Sequence, residues 1–400
     1  MRQKTDGGST LIMVTWMVML IAGVAEFLLY RASLEWAVTL NFEQKQQVRE
    51  IARAALMENL ALLAADENDY DAKEEAWFHK TGIFTSQRSG YQVTLVIEAE
   101  DSKPQLNLLS EKGLTQLLGD DDSARSPDPV LDWIDSDGEL RAEGAEAPYY
   151  QGLNPAYRPR DGFMASLHEL LQVKDGAGYY AKLAPAVTVY GKYNPNTLTG
   201  EKFAELLLAY GFDKFWVERV RDEFSAYREK NRFESLDDFA KLASVSLATR
   251  DKLRPLLQFS GSCNLNFVSK DGLKAILSEA GQKTGWAAET FQRVQAQPFT
   301  TIDEIKAYFK NKNVKFKAQD YFTVTSSLFH YRIWLVKKQH TFYLETVQER
   351  MPGGMRRKWQ IRTVAWLELQ DAAAPPLPSA PAEQTQKGED RENAAQSDHH

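Results

Sequence analysis

Residues 7–30 read GGSTLIMVTWMVMLIAGVAEFLLY, and this stretch decides how the rest of the chain is organised. A short polar leader carrying Arg2 and Lys4 ends at Gly7-Gly8, and an apolar run from residue 11 to 30 begins almost at once. A run of about 20 residues is enough for a helix to cross a hydrocarbon core of roughly 30 Å. A secretory signal peptide carries its small-residue cleavage site after the apolar stretch. Here the small residues come first, so a cut between Gly8 and Ser9 would leave the apolar helix on the mature protein. An ordinary single-pass anchor with a chance Gly-Gly pair is the plainer reading of the same residues.

Beyond Tyr30 the helical signal continues to about residue 65 but turns amphipathic. Leu34, Val38, Val48, Ile51, Ala55, Leu56, Leu60 and Leu63 recur mostly at three- and four-residue spacings. No proline interrupts residues 9–65, so one continuous helix of about 85 Å is expected at 1.5 Å per residue. Its first half belongs in a membrane or filament core and its second half on a globular domain, with Glu26 near the interface. Residues 91–99 alternate as a strand, with Tyr91, Val93, Leu95 and Ile97 on one face. Comparable patterns return only at 328–336, 341–349 and 359–369, with a turn at Pro352-Gly353-Gly354. The expected fold is α+β: a long N-terminal helix on a small antiparallel sheet, interrupted by a large all-α insert of repeated helical bundles. The divisions are a leader at 1–8, a transmembrane helix at 9–30 and a discontinuous α/β domain at 31–103 plus 321–371. The insert spans 104–320, and 372–400, rich in Pro, Ala, Gln and charge, reads as a disordered tail.

The insert shows an internal recurrence. Asn-containing turns occur at Gln105-Leu106-Asn107, Asn194-Pro195-Asn196 and Asn264-Leu265-Asn266, each followed by an apolar helix. An aromatic and a helix start come later in each unit, at Phe163, Phe233 and Phe299. Ser166/Glu169 and Thr301/Glu304 have capping-box spacing, and Ser235/Asp238 is a shorter-armed version. These polar residues read as structural caps.

Net charge of −7 over 400 residues argues against a nucleic-acid binder. The lone Cys263 allows no intramolecular disulfide and reads as a small buried hydrophobe. Between Asp120 and Glu146, ten acidic residues face only Arg125 and Arg141. Asp135, Asp137, Glu139 and Glu146 fall at relative positions 1, 3, 5 and 12, the ligand spacing of an EF-hand loop. Leu140 occupies the position where that loop needs glycine, and no flanking helix pair is evident. Clustered carboxylates still suit Ca²⁺ better than a transition metal; the plainer reading is a solvated acidic loop.

The leader and helix resemble those of type IV pilins and type II secretion pseudopilins. A more specific likeness lies in Asp132-Trp133-Ile134-Asp135-Ser136-Asp137-Gly138 and Gly144-Ala145-Glu146-Ala147-Pro148-Tyr149-Tyr150, joined by Asn194-Pro195-Asn196-Thr197. With the order helix, strand, helical insert, strands, these resemble the minor pseudopilin K family of the type II secretion system over residues 8–370. The resemblance implies an inner-membrane precursor cut by prepilin peptidase after Gly8, N-methylated at Ser9, and folded in the periplasm. It implies calcium binding, a tip complex with the I and J minor pseudopilins, and contacts with the major pseudopilin and the inner-membrane assembly platform. Major pilins carry Glu at the fifth mature position, whereas Met13 stands there, as the resemblance to the K type implies. Ser9 in place of Phe, and the third Asn turn, depart from the family pattern.

No Gly-x-Ser-x-Gly elbow, phosphate-cradling glycine loop or His-Glu-x-x-His is present, and His79, His168, His330 and His340 are scattered, so no enzyme is expected. The competing class is a membrane-anchored pilin-like protein that binds or takes up DNA through its helical repeats. The insert holds 28 basic and 31 acidic residues, which gives a phosphate backbone little to grip. A structural assembly subunit at the tip of the pseudopilus is the expected role.

Overall fold

A computed structural model of the chain describes residues 7–79, 82–119, 125–312, 316–352 and 359–370. Leader residues 1–6, residues 120–122 of the acidic segment, the Gly353-Gly354 turn and the 372–400 tail lie outside them.

Helix α1 (Gly7–Ala64) is continuous. Residues 10–45 are exposed, Trp36 at 70 % and Phe42 at 61 %. At 1.5 Å per residue that free portion is about 54 Å long. Burial begins at Val48 and continues through Ile51, Ala52, Ala55, Leu56, Leu60 and Leu63. This stripe packs on Val93, Leu95 and Ile97 and on Phe329, Tyr331, Ile333 and Leu335. Each Val, Ile or Leu side chain among them contributes about 1.5–3 kcal/mol when fully buried. The polar Asn59 survives in the stripe because its amide donates to the Trp77 carbonyl (2.8 Å) and accepts from the Tyr331 hydroxyl (2.9 Å).

The chain then forms the hairpin β1 (Ile83–Arg88) and β2 (Tyr91–Ala99). Alternation had indicated β2; β1, with its less regular IFTSQR pattern, emerges only as the partner of β2. The insert's first unit holds α2 (Glu111–Leu118), α3 (Asp128–Ile134), α4 (Ala147–Gln151) and α5 (Gly176–Leu183). Its second holds α6 (Gly200–Ala209), α7 (Lys214–Lys230) and α8 (Leu247–Leu253). The third runs β3 (Cys263–Asn264), α9 (Lys270–Glu279), α10 (Trp286–Ala296), α11 (Ile302–Asn311) and β4 (Phe322–Thr323). Strands β5 (Leu328–Lys337), β6 (His340–Pro352) and β7 (Trp359–Gln370) follow. They complete a five-stranded antiparallel sheet in the order β1-β2-β5-β6-β7. The architecture is the expected α+β one, with a small parallel pair, β3 and β4, inside the otherwise helical insert. The second sheet face is also covered at its centre: Thr94 and Val96 are buried, and Trp334 lies 5.0 Å from Tyr343.

The recurrence in the insert has a common physical basis. The side-chain amides of Asn107, Asn196 and Asn266 each bond both the N–H and the C=O of one later residue. Those residues are Met164 (2.8 and 3.0 Å), Phe233 (3.0 and 2.8 Å) and Phe299 (2.8 and 2.9 Å). Each amide imitates a strand neighbour and ties the start of a unit to its midpoint. Each unit also closes by parallel pairing of extended segments: Gln105 with Thr188, Tyr193 with Leu257, and Cys263-Asn264 with Phe322-Thr323. The capping boxes at Ser166/Glu169 and Ser235/Asp238 form, but they open 3-10 turns; Thr301 caps α11.

Asn266 also donates to the Asp71 carbonyl (3.0 Å). Replacing it by Ala leaves buried backbone groups of Phe299 and Asp71 without that partner, at about 1–3 kcal/mol each. Asn266→Ala is therefore expected to cost about 3 kcal/mol in urea unfolding of the full chain, and a loss under about 1 kcal/mol would contradict this role.

Candidate functional site in the acidic segment

Helix α3 lies within the acidic segment, and Pro129 in its first turn suits a position where the N–H needs no partner. Asp132, fully buried on α3, organises the loop that follows. Its carboxylate accepts from the Ala145 N–H (3.0 Å), the Arg141 N–H (3.3 Å) and the Arg141 guanidinium (2.6 Å). Gly144 is required by this approach, since a Cβ there would lie 1.9 Å from Asp132 Oδ2. Asp128 accepts from Glu143 N–H (3.0 Å). Trp133 packs edge-on to Tyr150, with ring centroids 5.2 Å apart, and both rings are buried. The two separated motifs are thus one folded unit, held by a carboxylate and an aromatic pair.

Of the residues singled out as ligands, Asp135 and Glu146 are drawn into the same buried region, 8 % and 6 % exposed. Asp135 Oδ1 and Glu146 Oε1 are buried with no hydrogen-bond partner, while Asp135 Oδ2 pairs with Arg141. Burial, then Asp132, Asp135, Asp161 and Asp137, push Glu146 up to about 7. Burial also pushes Asp135 up to about 6, against the opposing pull of Arg141. Asp137 is exposed, with Oδ1 accepting from Glu139 N–H (2.9 Å), and Glu139 is exposed beside it. The four residues do not converge on one point as an EF-hand's would; among the described residues, acidic or histidine groups that meet within 4.8 Å occur elsewhere. Asp132 and Asp161 belong to the electrostatic cluster and were not in the expected ligand set. Asp132 had a signal, its place in the Asp-Trp-Ile-Asp motif, whereas Asp161 is brought in by folding alone.

Two unpartnered, buried carboxylate oxygens amid five acidic side chains and one arginine fit a hard divalent cation, whose preferred ligands are oxygens. Gly8 and Ser9 lie within the helical backbone of α1, and Met13 on α1 is 74 % exposed.

Residues 93–192 match the family model for protein K of the type II secretion system. Among curated proteins, type II secretion system protein K of Aeromonas hydrophila is 34 % identical over 124 residues, covering 29 % of this chain and 37 % of that protein. The chain therefore aligns with little more than a third of that relative's length. A crystal structure of the GspK-GspI-GspJ complex from the enterotoxigenic Escherichia coli type II secretion system covers 82 % of this chain and 98 % of the matched one. Its TM-score is 0.42 at 16 % identity.

Glu146 titrates higher folded than the ordinary carboxylate value of 4.5. A raised folded value gives a contribution that is full below about pH 4.5 and lost as pH rises through about 7. In chelator, Glu146→Gln should therefore gain stability relative to the parent between pH 4.5 and 8 and change little above that. A pH-independent difference in melting temperature would contradict the clustered-carboxylate description.

Proposed function

We propose that this chain, which carries a protein K domain over residues 93–192, is the K-type minor pseudopilin of a type II secretion system and caps the pseudopilus tip. The supporting observation is the occurrence of that domain in one chain with a 58-residue helix whose apolar half is exposed among the described residues. An exposed apolar run of this kind suits an inner-membrane single pass before assembly and neighbouring subunits after it, with the folded part in the periplasm. The role is structural rather than catalytic. Its partners are the I and J minor pseudopilins, the major pseudopilin and the assembly platform. Prepilin peptidase cuts after Gly8, and Ser9 becomes the methylated N-terminus. The insert at 104–320 interrupts an α/β domain formed by 31–103 and 321–371.

Position at the tip follows from two features. In pilin-type assembly an incoming subunit offers its fifth-residue carboxylate to the amine of the subunit ahead. Met13 has no carboxylate to offer, while its own N-terminus can still receive one. The insert also outsizes the sheet domain and would clash in a close-packed shaft but not at its end. Calcium is held by Asp135 and Glu146, with Asp132, Asp137 and Asp161 adding negative potential and Glu139 at the periphery. When bound, the ion neutralises these carboxylates and ties the 135–146 loop to α3.

Mass spectrometry of protein from native membranes should find Ser9 as the mature N-terminal residue, and Gly8→Leu should accumulate as uncut precursor; an intact Met1 in cells with active prepilin peptidase would exclude the processing step. Gold label on the insert of isolated pseudopili should sit at one end, and label spaced along the shaft would rule out the capping role.

A further inference from the structure

The segment joining α1 to β1 contains DENDYDAKEE at 66–75, six acidic residues against Lys73. Three of them, Asp66, Asp71 and Glu75, each place a carboxylate oxygen within 4.8 Å of the other two. The Asp66 and Asp71 side chains are 6 % and 1 % exposed. Arg350 from β6 pairs with Oδ2 of both, at 3.1 Å for Asp66. Ser326 N–H donates to the same Asp71 oxygen (2.6 Å). Asp71 Oδ1, by contrast, is buried with no partner at all. Asp66 Oδ1 accepts from Asn68 N–H (3.0 Å). Glu75 accepts from the Asn68 amide (2.9 Å) and the Trp77 indole N–H.

We propose that Asp66, Asp71 and Glu75 form a second calcium site, separate from the 132–146 segment, at the point where α1, the third repeat unit and the sheet meet. The donor set is oxygen only, which selects a hard cation over zinc or copper. Among hard cations, calcium is the one readily held by several protein carboxylates, since magnesium keeps most of its water. Charge distinguishes this cluster from the other one whose groups meet within 4.8 Å, Glu98, Glu100 and His330. There Lys103 and Arg332 pair with the carboxylates, and Glu345 with His330, so three cations face three anions. Here, among the described residues, three carboxylates face one guanidinium. Asp101 adds to the imbalance: burial, then the nearby Asp71, push it up to about 7. Burial, together with Asp66 and Asp71, raises Glu75 to about 7 as well.

The location gives the ion a mechanical role. The Asp71 carbonyl accepts from Asn264 (3.3 Å) and Asn266 (3.0 Å) of the third unit, and Asp71 N–H donates to the Val324 carbonyl (2.8 Å). An ion on the Asp71 carboxylate therefore fastens the end of α1 to the third unit and, through Arg350, to β6.

The test is calcium stoichiometry and thermal melting of the full-length chain in detergent micelles, using the Asp135→Asn/Glu146→Gln double variant to remove the first site. This background should still bind one calcium per chain by equilibrium dialysis and melt higher in calcium than in chelator. Adding Glu75→Gln should weaken that binding at least tenfold and abolish the calcium-dependent rise, while melting in chelator no lower than the background because a repulsive charge has gone. Asp66→Asn serves as the second variant if Glu75→Gln folds poorly. No calcium bound to the background would overturn the proposal, as would binding that neither substitution weakens. A parent that binds no more calcium than this background would instead count against the calcium reading of the 132–146 segment.

Discussion

The ladder between β2 and β5, running from Gln92↔Val336 to Ala99↔Phe329, is the constraint on which the rest of the structure depends. It closes a loop of more than 200 residues, and Arg332 meets Glu98 across 234 positions. Loop-closure entropy grows only logarithmically with length, so a long insert costs little more than a short one once both strands have a buried face. That face is supplied by α1, whose stripe from Val48 to Leu63 covers β2 and β5 together. Helix and sheet are therefore mutually required, and the insert is tolerated because its two ends leave from adjacent strands.

Where the insert leaves the sheet, charge replaces apolar packing. His330 sits between Glu100 and Glu345, and although burial opposes it, these carboxylates raise it to about 9. Glu100 is fully buried yet held down to about 2, because Lys103 and His330 outweigh the cost of desolvation. A buried ionic group persists only when its partners are close and complete. In the network at the base of the insert the charges balance, although Glu100 Oε1 has no hydrogen-bond partner; around Asp71 and around Glu146 carboxylates outnumber cations, and those are the two places where we propose a cation.

Within the insert, three units reuse one device. An Asn side chain stands in for a strand backbone at each unit's midpoint, and a parallel bridge closes each unit behind it. The first two units share one hydrophobic core, with Phe203, Phe224, Phe233 and Phe239 fully buried within it, whereas the third has its own core around Phe299, Phe309 and Phe322. Asp320 of the third unit pairs with Arg232 of the second, so the cores are joined by an ion pair as well as by contact.

The long helix, four of the five sheet strands and the three repeats were legible in the sequence because each rests on local periodicity or on a motif repeated in order. Hydrophobic spacing of 3.6 or 2 residues needs no knowledge of what lies opposite. Strand β1 was not legible, because an edge strand takes its conformation from the partner ladder and its IFTSQR pattern is half exposed. The acidic segment was visible as a concentration of charge, but an EF-hand spacing selected Asp137 and Glu139, which folding leaves in solvent. Asp132 and Asp161 entered the cluster through the turn that Gly144 permits and through chain return over α3. The Asp66, Asp71 and Glu75 group, likewise, depends on Arg350 and Ser326 arriving from more than 250 residues away. Sequence by itself determined the long helix, the four alternating strands and the repeats, since those preferences are local. Tertiary structure alone decided which carboxylates are buried without a partner, since desolvation and charge balance depend on every element that packs around a group.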